Sequence, residues 1–310
     1  MNIALIFPGQ GSQYIGMGKD FFDSSEVSRS IFDNLDETIG KKLSEVIFNG
    51  SDEELSKTTN SQPAIMSVSI AILKEINARG LLNNKKIHSV AGHSLGEYSA
   101  LVANNSLSFE DSVKLLIVRS EAMQKSMPIG TGGMAAVLGK SEEETQIIID
   151  KLKAHGKLFI ANDNAEGQIV LSGEISAIDN LCENSKTLGI KRAIKLSVSA
   201  PFHCELISEA SSILELELKK FSFDQFSYPL YSNVTAEKTD SSNVKSLLSK
   251  QVINKVRWRE TIQNMIRDKV ETFIEIGPGH VLTNLLKRNA NGVKAVSISK
   301  LSDLDKLKEI

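Results

Sequence analysis

Cysteine is nearly missing from this chain: Cys182 and Cys204 are the only two in 310 residues. They form neither a disulfide framework nor the paired spacing of a metal site, so no metal and no cofactor are expected. Long apolar runs are missing too, and nothing approaches the roughly 20 residues that span a bilayer. The formal net charge of −2 excludes a protein that holds nucleic acid by its overall field. Residues 1–7 are apolar but lack a basic n-region and run straight into Pro8-Gly9-Gln10-Gly11. They read as a first strand, not a signal peptide. Neither an internal repeat nor a low-complexity linker occurs. Histidine is scarce, with five residues, which narrows the search for a catalytic base. These absences leave a cytoplasmic, cofactor-free enzyme, long enough to bury a sizeable core. No membrane partner is expected, and nothing demands more than a monomer.

Strand-like and helix-like runs alternate through residues 1–127, which suggests an α/β layer architecture. Between residues 133 and 196 the grain changes. Strand 134–138 precedes a helix opened by the capping box Ser141-Glu142-Glu143-Glu144. Strands 157–161 and 168–171 flank a polar loop, Asn162-Asp163-Asn164, and a helix 175–188 leads to a closing strand 192–198. The order β-α-β-β-α-β is the ferredoxin-like, split βαβ pattern. The expected fold is therefore a large α/β subdomain, residues 1–127 and 199–310, with a small α+β insertion over 128–198. After Pro201, helices 207–220 and 246–254 alternate with strands 228–233 and 271–276. The tail from residue 293 reads as a short strand and a charged, surface-lying end.

Chemistry concentrates at Gly92-His93-Ser94-Leu95-Gly96. An apolar, β-prone run (87–91) leads in and a helix-forming run (97–103) follows, the setting of a nucleophile elbow. Its glycines leave room for a strained turn that lifts the serine hydroxyl above the sheet edge. The next helix then offers N–H groups to a developing oxyanion. Ser94 is read as a nucleophile, against the plainer reading of a tight turn. It needs a base within reach. His93 precedes the serine and points away, while His88 and His155 look like surface residues. His203, in Ala200-Pro201-Phe202-His203-Cys204, follows a proline-fixed turn and is the best candidate. Cys204 reads as a small buried residue.

In helix 108–127, Lys114, Glu121 and Lys125 mark the solvent face, and Arg119 falls nearly opposite, between Leu115 and Met123. A guanidinium centred on an apolar stripe must find an anion. That anion is either a buried Asp or Glu or the carboxylate of a substrate held bidentately, and spacing leaves both open. Phe7-Pro8-Gly9-Gln10-Gly11-Ser12-Gln13 lacks the Lys-Ser/Thr of a P-loop. Its backbone N–H groups are candidates for the second half of an oxyanion hole. Gly277-Pro278-Gly279-His280 reads as a tight turn after a strand.

Together these segments resemble the malonyl-CoA:acyl carrier protein transacylase family. Five carry the likeness: residues 7–13, Gly92-His93-Ser94-Leu95-Gly96-Glu97, Arg119 with Gly130-Thr131-Gly132-Gly133-Met134, Ala200-Pro201-Phe202-His203, and Glu275-Ile276-Gly277-Pro278-Gly279. The resemblance implies a hydrolase-like α/β core with a ferredoxin-like insertion. It implies an enzyme that moves malonyl from malonyl-CoA to the phosphopantetheine thiol of acyl carrier protein, in fatty acid biosynthesis. Ser94 would be the acylated nucleophile, His203 its base and acid, and Arg119 the holder of the malonyl carboxylate. Gln10 and Leu95 would offer backbone N–H groups to the oxyanion. The main-chain carbonyl of Gln251 would steady His203, and Asn162 would lie near the acyl pocket. Phe202 is expected to narrow that pocket against branched acyl groups. Two departures stand out: Lys255 where a proline is common, and Cys204 where a serine often follows the histidine. Lys191, Arg192, Lys195, Arg257 and Arg259 are candidates for docking an acidic carrier protein. Three rivals stay open. One is a trans-acting acyltransferase of a polyketide pathway. Another is a hydrolase with Asp150, Asp163 or Asp179 as triad acid. The third is a catalytically silent carrier-binding scaffold.

Overall fold

Two separate sheets organise the chain in the computed structural model, which describes residues 1–198, 200–290 and 292–310. The strands are β1 (Asn2–Phe7), β2 (Lys86–Gly92), β3 (Gly132–Leu138), β4 (Leu158–Ala165) and β5 (Gln168–Glu174). Then come β6 (Arg192–Lys195), β7 (Leu230–Tyr231), β8 (Lys238–Thr239), β9 (Thr272–Ile276) and β10 (Lys294–Ile298). The larger sheet runs β10-β9-β1-β2-β7-β8, parallel except for the β7–β8 edge pair. Strands covered on both faces read as continuous apolar runs. β1 does so, with Ile3 to Phe7 all buried. Its register with β2 pairs Phe7 with Gly92, so the turns that follow the two strands emerge side by side. Ligands of open parallel sheets bind beyond such carboxyl ends.

The helix Thr58–Ala78 is buried along nearly its whole length and packs against the helix Phe109–Lys125. The latter starts where Ser108 accepts a bond from Asp111 N at 3.0 Å, as its sequence leads one to expect. These two helices bring polar side chains to the same carboxyl-end region.

The smaller sheet is antiparallel throughout, in the order β4-β5-β3-β6. This is the arrangement a βαββαβ unit adopts. Helices Glu142–Leu152 and Ile175–Glu183 cover it, enclosing a core that includes Val137, Ile149, Leu171 and Ile178. The Ser141/Glu144 capping box is present.

Several boundaries differ from the sequence reading. Asn162-Asp163-Asn164 is not a loop but the polar end of β4, because the backbone finds partners on both sides. Besides β5, Val256 N donates to Ala161 O at 2.8 Å and Asp163 N to Val256 O at 3.0 Å. The helix from Ile175 stops at Glu183 and β6 ends at Lys195. The C-terminal end is no loose surface segment. Leu301–Glu309 forms a 3₁₀ helix that buries Leu304 and Leu307. Ser199, the expected start of the second large segment, lies outside the described residues. No helix among the described residues is long and apolar enough to cross a membrane.

Candidate active site

Close backbone approach explains the glycines of the elbow. A Cβ on Gly92 would fall 1.9 Å from the Gly96 carbonyl, and one on Gly96 would fall 2.3 Å from Phe7 O. Gly9 meets the elbow equally closely, its Cβ position 2.4 Å from His93 O, which sets the Gln10 turn directly on the nucleophile turn. Ser94 itself takes φ 55°, a left-handed conformation that its surroundings must enforce. Asn233, just beyond β7, does so. Its Oδ1 accepts from Ser94 N at 2.7 Å and its Nδ2 donates to Gly92 O at 2.7 Å.

Ser94 Oγ lies 2.8 Å from His203 Nε2, and His203 Nδ1 lies 2.8 Å from Gln251 O. A carbonyl can only accept, so Nδ1 carries the proton and Nε2 presents its lone pair to the serine. Burial, reinforced by the nearby Arg119 charge, drives the His203 pKa down to about 3, so the ring is neutral at physiological pH. The hydrolase triad finds no support in these contacts. Asp150 pairs with Lys153, Asp179 with Lys195 and Asp163 with Arg259, and a main-chain carbonyl occupies the acid's place. Lys255 leaves that carbonyl in position and bonds Glu142 Oε1 at 2.6 Å. Cys204 is buried, with its thiol pKa raised to about 12 by desolvation.

Arg119 is 1% exposed, and each of its hydrogen bonds ends on an uncharged oxygen. Nη1 donates to Gln62 Oε1 at 2.6 Å, and Nη2 donates to Gln251 Oε1 at 2.9 Å and to Ser94 Oγ at 3.0 Å. No ion pair to Arg119 occurs among the described residues, so the buried salt bridge that its position allowed is not what it makes. Nε has no partner there either. A buried cation without an anion, in contact with a nucleophile, is poised for an anionic ligand.

The remaining expected residues divide. Gln10 and Phe202 line a cavity of about 470 Å³ beside the site, together with Lys57, Thr58 and Val198. The backbone N–H groups of Gln10 and Leu95 donate to no acceptor among the described residues. Asn162 is buried on β4 and bridges to Val256 through its backbone. The bond to the elbow comes from Asn164, whose Oδ1 meets His93 Nε2 at 2.7 Å. Of the basic groups expected to dock a carrier, Lys195 pairs with Asp179, Arg259 with Asp163 and Arg257 with Glu260.

The acyl transferase domain family matches residues 4–303. The malonyl CoA-acyl carrier protein transacylase of Bacillus subtilis (strain 168) is 43% identical over 299 residues, 96% of this chain and 93% of the relative. The chain belongs to the malonyl-CoA:acyl carrier protein transacylase family. It is an acyltransferase, and the solved members share its α/β fold with the separate antiparallel sheet. The malonyl CoA-acyl carrier protein transacylase of Clostridium perfringens superposes with a TM-score of 0.92 at 40% identity, covering 100% of this chain and 96% of that one. The acyl-carrier-protein S-malonyltransferase of Bartonella henselae gives 0.96 at 40% identity, covering 100% and 99%. A malonyl-transacylase in complex with its type II PKS acyl-carrier protein gives 0.95 at 34% identity, covering 100% and 99%.

Sequence reasoning missed four residues of this transacylase-family site. Gln62 sits one helical turn after Thr58 in a helix that also holds Asn60, Ser61, Ser67 and Ser69, so its spacing did not single it out; its Nε2 donates to Thr58 Oγ1 at 3.0 Å. Asn164 hid in what read as a loop. The bond of Asn233 to Ser94 and that of Glu97 to Gln251 each join residues more than 130 positions apart, so neither role carries a local signal.

Proposed function

We propose that this chain transfers the malonyl group of malonyl-CoA to the phosphopantetheine thiol of acyl carrier protein through a malonyl-Ser94 intermediate. The observation that carries this reading is Arg119: buried, unpaired with any carboxylate, and donating to the nucleophile's oxygen. Ser94 Oγ attacks the thioester carbonyl while His203 Nε2 takes its proton. The backbone N–H groups of Gln10 and Leu95 receive the oxyanion. The C–S bond breaks, His203 returns the proton to the departing coenzyme A sulfur, and the malonyl ester remains. The carrier's thiol then gives its proton to His203 and attacks the ester, and Ser94 leaves with that proton. Gln251 O holds the ring in one tautomer through both halves.

Arg119 selects the acyl group and anchors the intermediate through its carboxylate. Phe202 and Asn162 bound the acyl space, Phe202 against branched groups. Every step is carried by groups of this one chain, which supports a cofactor-free, monomeric catalyst. Two free cysteines agree with a reducing, cytoplasmic setting. We assign the carrier to fatty acid synthesis, not to a trans-acting polyketide pathway. Lys191 and Arg192 remain for the acidic carrier.

Intact-protein mass spectrometry after brief incubation with malonyl-CoA tests the reading. One malonyl adduct on Ser94, stable in water and discharged by carrier protein, is the expected result. Free malonate released without carrier would identify a hydrolase, and no adduct would leave only a binding scaffold.

A further inference from the structure

Glu97 is a buried carboxylate that the mechanism above does not use. It stands in the first turn of the helix Gly96–Ala103, three residues after Ser94, and is 1% exposed. Its Oε2 accepts from Gln251 Nε2 at 2.6 Å and from Asn233 N at 3.3 Å, while Oε1 has no hydrogen-bond partner among the described residues. The helix N-terminus favours an anion there, yet an unpaired buried carboxylate is an expensive way to fill a core position. Its placement makes sense through Gln251. That carboxamide has two unlike ends: Oε1 accepts from Arg119 Nη2 at 2.9 Å, and Nε2 donates to Glu97 and, at 3.0 Å, to Ser94 O. Glu97 Oε2 accepts from the amide nitrogen and a guanidinium only donates, so these two partners fix which way the amide faces.

We propose that Glu97 is a positioning residue for carboxylate selection: it anchors the Gln251 carboxamide, which holds Arg119 beside Ser94 without placing an anion on the guanidinium. A carboxylate in direct contact with Arg119 would neutralise the group that must receive the substrate. Set one amide away, Glu97 anchors the amide and leaves the fork open. It touches no reacting atom, and its effect on selection runs through Gln251 and Arg119. Its second contact, from Asn233 N, belongs to the brace of the Ser94 turn and bears on both acyl groups alike. The inference rests on the malonyl-transfer reading above.

The test is steady-state kinetics with malonyl-CoA and acetyl-CoA on the wild type, Glu97→Met and Glu97→Gln at saturating carrier protein. Methionine fills the space without accepting a bond, whereas the glutamine amide oxygen can accept the bond from Gln251. Glu97→Met should lose malonyl kcat/KM by roughly tenfold or more, the scale of one hydrogen bond to a charged group. Acetyl transfer should fall far less, so the preference for malonyl collapses. Glu97→Gln should restore most of that preference. Equal losses for both acyl groups, or a glutamine variant as indiscriminate as the methionine one, would overturn the proposal. If Glu97→Met does not fold, Glu97→Leu, which also cannot accept a bond, takes its place beside Glu97→Gln, and the same outcomes decide. A wild type that transfers no malonyl defeats the functional reading itself, whereas a transferring wild type with an unchanged preference in Glu97→Met defeats only this inference.

Discussion

Arg119 meets Gln62, Ser94 and Gln251, three residues scattered over 190 positions of chain, and none of those meetings was readable beforehand. Its burial was readable, because helical spacing fixes a face. Partners across the fold do not follow from spacing, which is why a salt bridge and a substrate site stayed equally open. In the structure the guanidinium keeps a donor on the nucleophile, so an acyl group bringing a carboxylate gains an interaction that acetyl cannot. Replacing Arg119 with Ala should therefore cost malonyl transfer about 2–5 kcal/mol of transition-state stabilisation, the range for truncating one partner of a buried charge pair. Acetyl transfer should drop much less. Parallel assays of both donors check this, and equal losses would remove the carboxylate role from Arg119.

The strand–elbow–helix unit was the most legible element, since its glycines are demanded by contacts under 2.5 Å that no other residue could accept. What sequence could not show is the brace beneath it. Asn233 lies 139 residues from Ser94 and holds the turn from both ends. Asn233→Ala would strand a buried N–H and a buried carbonyl, at roughly 1–3 kcal/mol each. The expected outcome is a lower urea midpoint together with a fall in kcat larger than any rise in KM, because the substrate-holding groups remain. A variant with normal stability and kcat would show that the turn holds itself. β4 was misread for a related reason. Its polar residues look loop-like, but their backbone is paired on both sides, and Arg259 holds the Asp163 carboxylate at 2.8 Å.

Across the whole molecule, two buried groups of the site leave opposite marks on stability. Glu97 is raised to about 7 by burial, so the folded chain binds its proton more tightly than the unfolded chain does. Its contribution is full below the ordinary carboxylate range near 4.5 and is lost as pH rises through 7. His203, lowered to about 3, acts in reverse: its contribution is present above 6.5 and is lost as pH falls toward 3. The two oppose each other between pH 4.5 and 6.5, and below that window only the histidine acts. Glu97→Gln abolishes one of the two titrations. Its stability relative to wild type should climb between pH 4.5 and 7 and then level off. Urea unfolding at pH 5 and pH 7.5 would show this, and a constant difference would mean that Glu97 stays ionised.

The order of the inserted β-α-β-β-α-β unit was legible because each of its elements is short and locally patterned. The order of the parallel sheet was not, since crossover connections leave neighbours unspecified and β7 and β8 are two residues each. One junction between the two sheets has a mechanical meaning. Val256, five residues beyond the carbonyl that holds His203, is stitched into the outer edge of β4 by two backbone bonds. The insertion and the histidine are thus coupled like a door and its latch. Any displacement of the insertion would therefore reach the base through a tether five residues long.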